Sequence, residues 1–215
     1  MNRRQALLYP LFGLSLVLAL STCQISDTAE PEPETQPEPD PEPAAPVELV
    51  AGTTIGEEVF PPGNTDQGGQ GEPVDGIGCL EPNHQHYHAH LSFFVNGERI
   101  AIPAAVGVVN PSFRDNYVND GDCLYWMHTH DGTGLVHIEP PVAAARDFTV
   151  GELFDIWGQP LTSDNVAGYE GELSVFVDGV RYTGDVRSIV FKSHKHICLE
   201  IGRPLAPPPL YIFQG

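Results

Sequence analysis

The residues best equipped for chemistry are nine histidines, and all of them fall in three short segments of a 215-residue chain. The first segment carries His84, His86, His88 and His90, the second His128, His130 and His137, and the third His194 and His196. Within each segment the spacing is i, i+2. In a β-strand that spacing puts side chains on one face. His88 and His90 therefore point together, as do His128 and His130, and His137 and Glu139. Neutral imidazole is a ligand for Zn, Cu, Fe and Ni. One such pair is most often a solvated strand face. Three groups of them, with no histidine elsewhere, point to a transition-metal site.

The middle segment carries the reading furthest. Asp131-Gly132-Thr133-Gly134 reads as a turn, which folds residues 123–130 against 135–140. Pairing across it sets His130 opposite Leu135, His128 opposite His137 and Trp126 opposite Glu139. Directly opposed Cβ atoms lie roughly 4.5–5.5 Å apart, so His128, His130 and His137 can converge on one ion. Three nitrogens plus an open position is the usual catalytic arrangement of zinc. His86, His88 and His90 form a second group of candidate ligands. His194 and His196, flanked by Lys192 and Lys195, read as ligands, as groups that orient ligands, or as an exposed turn. Glu139 either binds metal or orients a ligand. Asp131 reads as a turn former, and His84 as a surface residue.

The donor chemistry narrows the metal. No Cys-x-x-Cys pair accompanies the histidines, and Met127 is the only methionine beyond the initiator. A soft Cu(I) site is therefore disfavoured. Zn or Cu(II) is expected, with zinc ahead. Iron in a two-histidine, one-carboxylate site through Glu139 is the lesser alternative.

The elements that must hold these side chains read as strands. Leu91, Phe93 and Val95 alternate, Asn96-Gly97 follows, and Ile100 and Ile102 alternate after it. Asn-Gly between alternating runs is a strong hairpin signal. It pairs Val95 with Glu98, Phe93 with Ile100 and Leu91 with Ile102. The same hairpin recurs 82 residues later: LSFFVNGERI at 91–100 aligns with LSVFVDGVRY at 173–182, identical at six of ten positions. Each copy precedes a stretch that ends in paired histidines, 124–130 and 188–196, which suggests an internal duplication. One short helix interrupts the strands. Thr149 and Glu152 form a capping-box pattern, and Gly158-Gln159-Pro160 ends the run. Its expected place is over the end of the β structure. The 22 glycines and 21 prolines favour turns and short strands over long helices. The expected fold is mainly β, a small antiparallel sandwich or barrel with an internal hairpin duplication and one short helix.

Cysteines outside the N-terminal segment are Cys79, Cys123 and Cys198. Cys79 and Cys123 each precede a histidine strand, and a disulfide between them would staple the two main clusters together. Cys198 reads as a buried apolar residue, with a thiolate ligand as the rival.

The N-terminus reads as a secretion signal over residues 1–23. Arg3 and Arg4 precede an apolar run at 11–20 that is short for a membrane span. Leu20-Ser21-Thr22-Cys23 resembles a lipobox, which makes Cys23 the lipidation candidate. Thr22 is uncommon at that position, and an ordinary secreted protein is the alternative. Residues 24–58 are rich in Pro and Glu and read as a disordered tether. That leaves residues 59–215 as the histidine-rich domain. The chain carries a formal charge of −19, and from Val59 onward 19 acids face 8 Lys and Arg. Such a surface has no basic stripe, so nucleic acid is not an expected partner. The expected partners are a metal ion and, through a lipid on Cys23, a membrane outside the cytoplasm.

The run CLYWMHTHDGTGLVHIE at 123–139, with YHAHL at 87–91 and LFDIWG at 153–158, resembles a family of uncharacterised secreted or lipid-anchored bacterial and archaeal domains. The resemblance covers about residues 77–213, and members carry Leu at the position of Met127. It implies that the histidine segments form one site and attaches no activity to it. Two functions remain open on the residues: a module that captures, buffers or passes on Zn or Cu, and a tris-imidazole metalloenzyme. The enzyme would perform zinc-dependent hydration or hydrolysis resembling carbonic anhydrase chemistry, or redox chemistry with Cu or Fe. A pocket serving it would be walled by Trp126, Phe94 or Trp157.

Overall fold

The computed structural model describes residues 39–213 apart from Ala145. Residues 1–38, where the sequence suggests a secretion signal, a lipidation site at Cys23 and the first part of a tether, lie outside the described residues. Among the described residues the fold is mainly β with one α-helix, as the alternation and the capping box imply. The principal sheet has seven strands: β1 (Tyr87–Val95), β2 (Glu98–Ile100), β3 (Met127–His128), β4 (Leu135–Ile138), β5 (Leu173–Val177), β6 (Val180–Tyr182) and β7 (His196–Ile201). Their order across the sheet is β6-β5-β7-β1-β4-β3, with β2 also paired to β1. The sheet stays open and does not close into a barrel.

Both Asx-Gly hairpins form in the expected register. Phe93 faces Ile100 and Val95 faces Glu98, while Val175 faces Tyr182 and Val177 faces Val180. Asn96-Gly97 and Asp178-Gly179 all have positive φ, between 50° and 81°, which is what a two-residue hairpin turn following the strand twist requires. The first ladder stops at Phe93 because the same edge of β1 is shared. Its earlier half pairs with β4, His90 facing Leu135, and the Leu91 N–H donates to the Gly134 carbonyl instead of meeting Ile102. Gly134 allows this approach. It has φ +86°, and a Cβ there would sit 2.3 Å from the Leu91 oxygen.

Two expectations about the sheet are corrected. It is mixed rather than antiparallel, because β7 runs parallel to β1, with His196 beside His90 and Ile201 beside Val95. The duplicated hairpins also have different surroundings. β5 meets β6 and β7 on opposite edges, whereas β1 takes β2 and β4 on one edge. Residues 188–195 form no strand that ends in histidines. A short 3-10 helix (Val186–Ser188) and a turn at Ser193-His194 precede β7, which begins at His196.

Strand alternation divides the sheet into an apolar and a polar face. Ala89, Leu91 and Phe93 of β1 share one buried core with Met127, Val136, Ile138, Val175, Ile197 and Leu199. The helix α1 (Val150–Trp157) belongs to that core through Val150, Leu153, Phe154, Ile156 and Trp157. It therefore covers the apolar face rather than the end of the sheet. Its start is fixed by the reciprocal Thr149–Glu152 capping box and its end by Gly158 in the left-handed conformation. The opposite face carries the histidines.

The folded body extends N-terminal of Val59, where the sequence reading placed the start of the domain. Val47–Glu48 pairs in parallel with Tyr211–Ile212, Leu49 is buried, and the Gly52 N–H donates to Asp131 Oδ2 at 2.7 Å. Glu57 exchanges backbone hydrogen bonds with Arg99 and Ala101. A Pro/Glu-rich composition marks low core-forming power, but it does not prevent a segment from being held along an existing sheet by backbone bonds.

The disulfide Cys79–Cys123 is present, closing a loop of 44 residues. It ties the approach to β1 to the strand that leads into β3. A Cys79→Ser/Cys123→Ser variant is expected to lose about 2–4 kcal/mol of stability through the freed loop. Urea unfolding of the variant beside the oxidised protein measures the loss.

Candidate metal centre

The histidines of three adjacent strands meet in one row. His88 of β1 faces His137 of β4, and His137 faces His128 of β3. The pairing of His128 with His137 is the one the turn at Asp131 implies. Trp126 and Glu139 also meet as expected, the Glu139 N–H donating to the Trp126 carbonyl at 2.7 Å. Two groups could each hold a metal ion: His128, His130 and His137, and His86, His88 and His137. His137 is common to both.

The inner group is the more buried. His128 has no exposed surface and His137 is 8 % exposed. The His128 Nδ1–H donates to the Tyr125 carbonyl at 2.8 Å, and the His130 Nδ1–H donates to the Val118 carbonyl at 2.6 Å. A neutral imidazole carries one N–H, so in both rings Nε2 is the bare acceptor nitrogen. These two Nε2 atoms lie 3.1 Å apart. Two lone pairs facing at that distance need a cation between them. A proton is a poor candidate. Burial, with His130 and His137 nearby, pushes His128 down to about 3, and burial together with His137 also lowers His130. Carbonyl partners on Nδ1 are the usual means of aiming Nε2 at a metal.

The outer group lies at the solvent edge. His86 Nε2 is 2.8 Å from His88 Nε2, 3.1 Å from His137 Nδ1 and 3.1 Å from Glu139 Oε1. Burial, His137 and His86 lower His88 to about 4. Burial alone would raise Glu139, but the hydrogen bond from His137 and the neighbouring His128 and His86 outweigh it and hold the carboxyl at about 2. Glu139 is thus an anion over the working range of pH. His84 stands at the rim, its Nε2 3.6 Å from Glu139 Oε2.

Three expected ligands stand apart from these groups. His90 is fully buried with both nitrogens occupied: Nε2 donates to the Thr133 carbonyl at 2.8 Å, and Nδ1 accepts from the Ser92 hydroxyl at 3.3 Å. His196 Nε2 accepts the Tyr211 N–H at 2.8 Å. His194 is exposed in a left-handed turn, with its ring against Phe213. The i, i+2 rule put His90 and His196 on the correct face, but Thr133 and Ser92 take the nitrogens of His90, and the C-terminal Tyr211 takes Nε2 of His196. Cys198 is buried and free, in a cluster with Phe94 and Phe176, so it is no thiolate ligand of either group. Asp131 is a brace rather than a ligand, accepting from Thr133 and Gly52.

Sequence reasoning missed the groups that position and enclose the site. Tyr117 stacks face to face on His130, with centroids 4.7 Å apart. Val118, the next residue, supplies the carbonyl for His130. A pocket of about 170 Å³ opens on His88, His130 and His137 and is walled by Leu49, Ala51, Tyr117, Leu135 and Phe213. None of the aromatic walls expected from sequence lines it: Trp157 belongs to the core of the other face, Trp126 packs edge-on to Phe148, and Phe94 sits with Cys198. Leu49, Ala51 and Phe213 lie far away in sequence and carry no motif. Tyr117-Val118 had only a weak signal, an aromatic next to a β-branched residue.

No family model matches the chain, and neither a curated protein nor a solved structure matches it.

The lowered histidines make the metal-free domain sensitive to acid. Their folded values lie below the ordinary 6.5, so the unfolded chain takes up protons first. Their stabilising contribution is complete above about pH 6.5 and is lost as pH falls toward their folded values. Glu139 acts with the same sign below 4.5. The urea midpoint of metal-free protein is expected to fall steadily from pH 7 to pH 5, where few carboxylates titrate. A flat profile over that interval would contradict neutral, buried imidazoles.

Proposed function

We propose that this domain binds a transition-metal ion, Zn or Cu(II), through His128, His130 and His137. The observation that carries the proposal is the pair of bare Nε2 atoms at 3.1 Å, each aimed by a backbone carbonyl on its Nδ1. The donor set supports the choice of metal. Nitrogen ligands suit Zn and Cu(II), and the soft donors are elsewhere, Met127 in the core of the opposite face and Cys198 beside Phe94. The biological role that follows is capture, buffering or transfer of the metal. The basic and apolar N-terminus, the lipobox-like Cys23 and the disulfide support a location outside the cytoplasm, with a lipid anchor as the attachment. The motif resemblance to secreted His-rich domains agrees with that placement.

The purified protein is expected to retain at least one Zn or Cu ion per chain by elemental analysis. Saturating metal should raise the unfolding free energy by about 2.7 kcal/mol at a hundred times Kd. His128→Ala and His130→Ala should each weaken binding by at least the 10–100-fold typical of losing a ligand's outer partner. Protein that binds neither ion stoichiometrically would overturn the proposal.

One observation favours a second reading. The pocket of about 170 Å³ gives the ligand face an apolar vestibule large enough for a small substrate. A zinc ion held by three imidazoles there would lower the pKa of its bound water to about 7 and supply a nucleophile. The zinc-loaded protein should then hydrate carbon dioxide or hydrolyse an activated ester faster than His128→Ala protein. Equal rates would leave the binding role alone.

A further inference from the structure

We infer that the histidine face holds a second metal ion, ligated by His86, His88 and Glu139 and sharing His137 with the inner site. The inference rests on the metal-binding reading above and extends it from one ion to two.

The argument begins with register. His88 faces His137 across the β1–β4 pair, and the preceding pair is Tyr87 with Ile138. One step further sets His86 opposite Glu139. His86, His88, His137 and Glu139 therefore form a two-by-two block on one face of an antiparallel ladder, where opposed side chains are close neighbours. The donor atoms of His86, His137 and Glu139 converge, and His88 Nε2 lies next to His86 Nε2. His86 Nε2 lies 2.8–3.1 Å from the other three, and His137 Nδ1 lies 3.3 Å from Glu139 Oε1. A tetrahedral ion with arms of about 2.0–2.2 Å has its ligand atoms roughly 3.3–3.6 Å apart. His86, His137 and Glu139 need only a few tenths of an ångström of expansion to occupy three corners of such a site, with His88 beside His86 to supply the fourth.

Charge and exposure distinguish the two sites. The inner group has only nitrogen donors. The outer group adds the anionic Glu139, which offsets part of a second dication's charge close to the first. The His86 side chain is 50 % exposed, so the outer ion exchanges with solvent readily, whereas His128 of the inner group is fully buried.

His137 lies between the two groups by topology, because β4 is flanked by β1 and β3. Its ring is T-shaped against His88 at 4.3 Å and against His130 at 4.4 Å. One imidazole can serve two ions only through its two nitrogens. Nδ1 is the edge turned toward His86 and Glu139, which leaves Nε2 for the inner ion. The ring then forms one bond to each ion and gives up its single N–H proton to solvent.

The test is a count of ions on the metal-stripped full protein after titration with Zn(II), and separately with Cu(II), followed by buffer exchange and elemental analysis. Wild type is expected to hold two ions per chain. The His86→Ala/His88→Ala variant, altered only at exposed or half-exposed positions, should hold one. Glu139→Gln should weaken the second equivalent 10–100-fold and leave the first in place. With two Cu(II) ions bound, the paramagnetic resonance signal should integrate to fewer than two isolated spins, and a single full spin should return in the double variant. Wild type saturating at one ion would overturn the second site while leaving the metal-binding function intact. Binding of no ion would overturn both. Two ions persisting in the double variant, or two uncoupled Cu(II) spins in wild type, would overturn the ligand assignment or the shared His137.

Discussion

Three imidazoles abreast on adjacent strands, His88, His137 and His128, must be kept aimed, and the surrounding structure is organised by that requirement. An unsatisfied buried polar group costs about 1–3 kcal/mol, so each ring nitrogen needs a partner. Backbone carbonyls supply the partners for Nδ1 of His128 and His130. The carbonyl for His130 comes from a separate hairpin, Ser112–Arg114 with Tyr117–Asp120, which has little contact with the main sheet of its own. It is fastened there reciprocally: the Val118 N–H donates to the His130 carbonyl, while the Val118 carbonyl accepts from the His130 ring. Tyr117 then closes over the ring. The Nε2 atoms are the positions that no protein group fills.

The apolar face makes this arrangement affordable in structural terms. Leu91, Phe93, Val136 and Ile138 alternate with the site residues and are locked against α1. A slip of one residue in β1 or β4 would put His88 and His137 into the core and expose those side chains, at a cost of about 1.5–3 kcal/mol for each large apolar group. The register that positions the ligands is therefore enforced from behind, by the core rather than by the site. The disulfide acts on β1 and β3 from their approach side.

The polar face has a more varied fate along its length. Near His86 it is open to solvent, near His88 and His130 it borders a small pocket, and beyond His90 it is covered by Tyr211. Sealing changes what a histidine can do. His90 and His196 are on the same face as the ligands, yet Thr133, Ser92 and Tyr211 take their nitrogens. The exposed-to-buried gradient also separates an outer, exchangeable group of imidazoles from an inner, enclosed one.

Much of the site was legible in the sequence because it depends on local rules. A period of two puts His86 with His88 and His128 with His130, and the Asp131–Gly134 turn sets His128 against His137. The Asx-Gly hairpins, the Thr149–Glu152 cap and the Cys79–Cys123 pairing are equally short-range signals or follow from proximity to the same strands. Tertiary structure decided the rest. The parallel insertion of His196–Ile201 beside Tyr87–Val95 joins segments a hundred residues apart, and no local pattern encodes which edge a strand will choose. The approach of residues 47–52 and 211–213 likewise rests on backbone hydrogen bonds, which any sequence can make. Residue type and spacing alone thus determined that imidazoles would cluster. Which nitrogens stay bare was decided by the backbone groups that long-range folding brings against each ring.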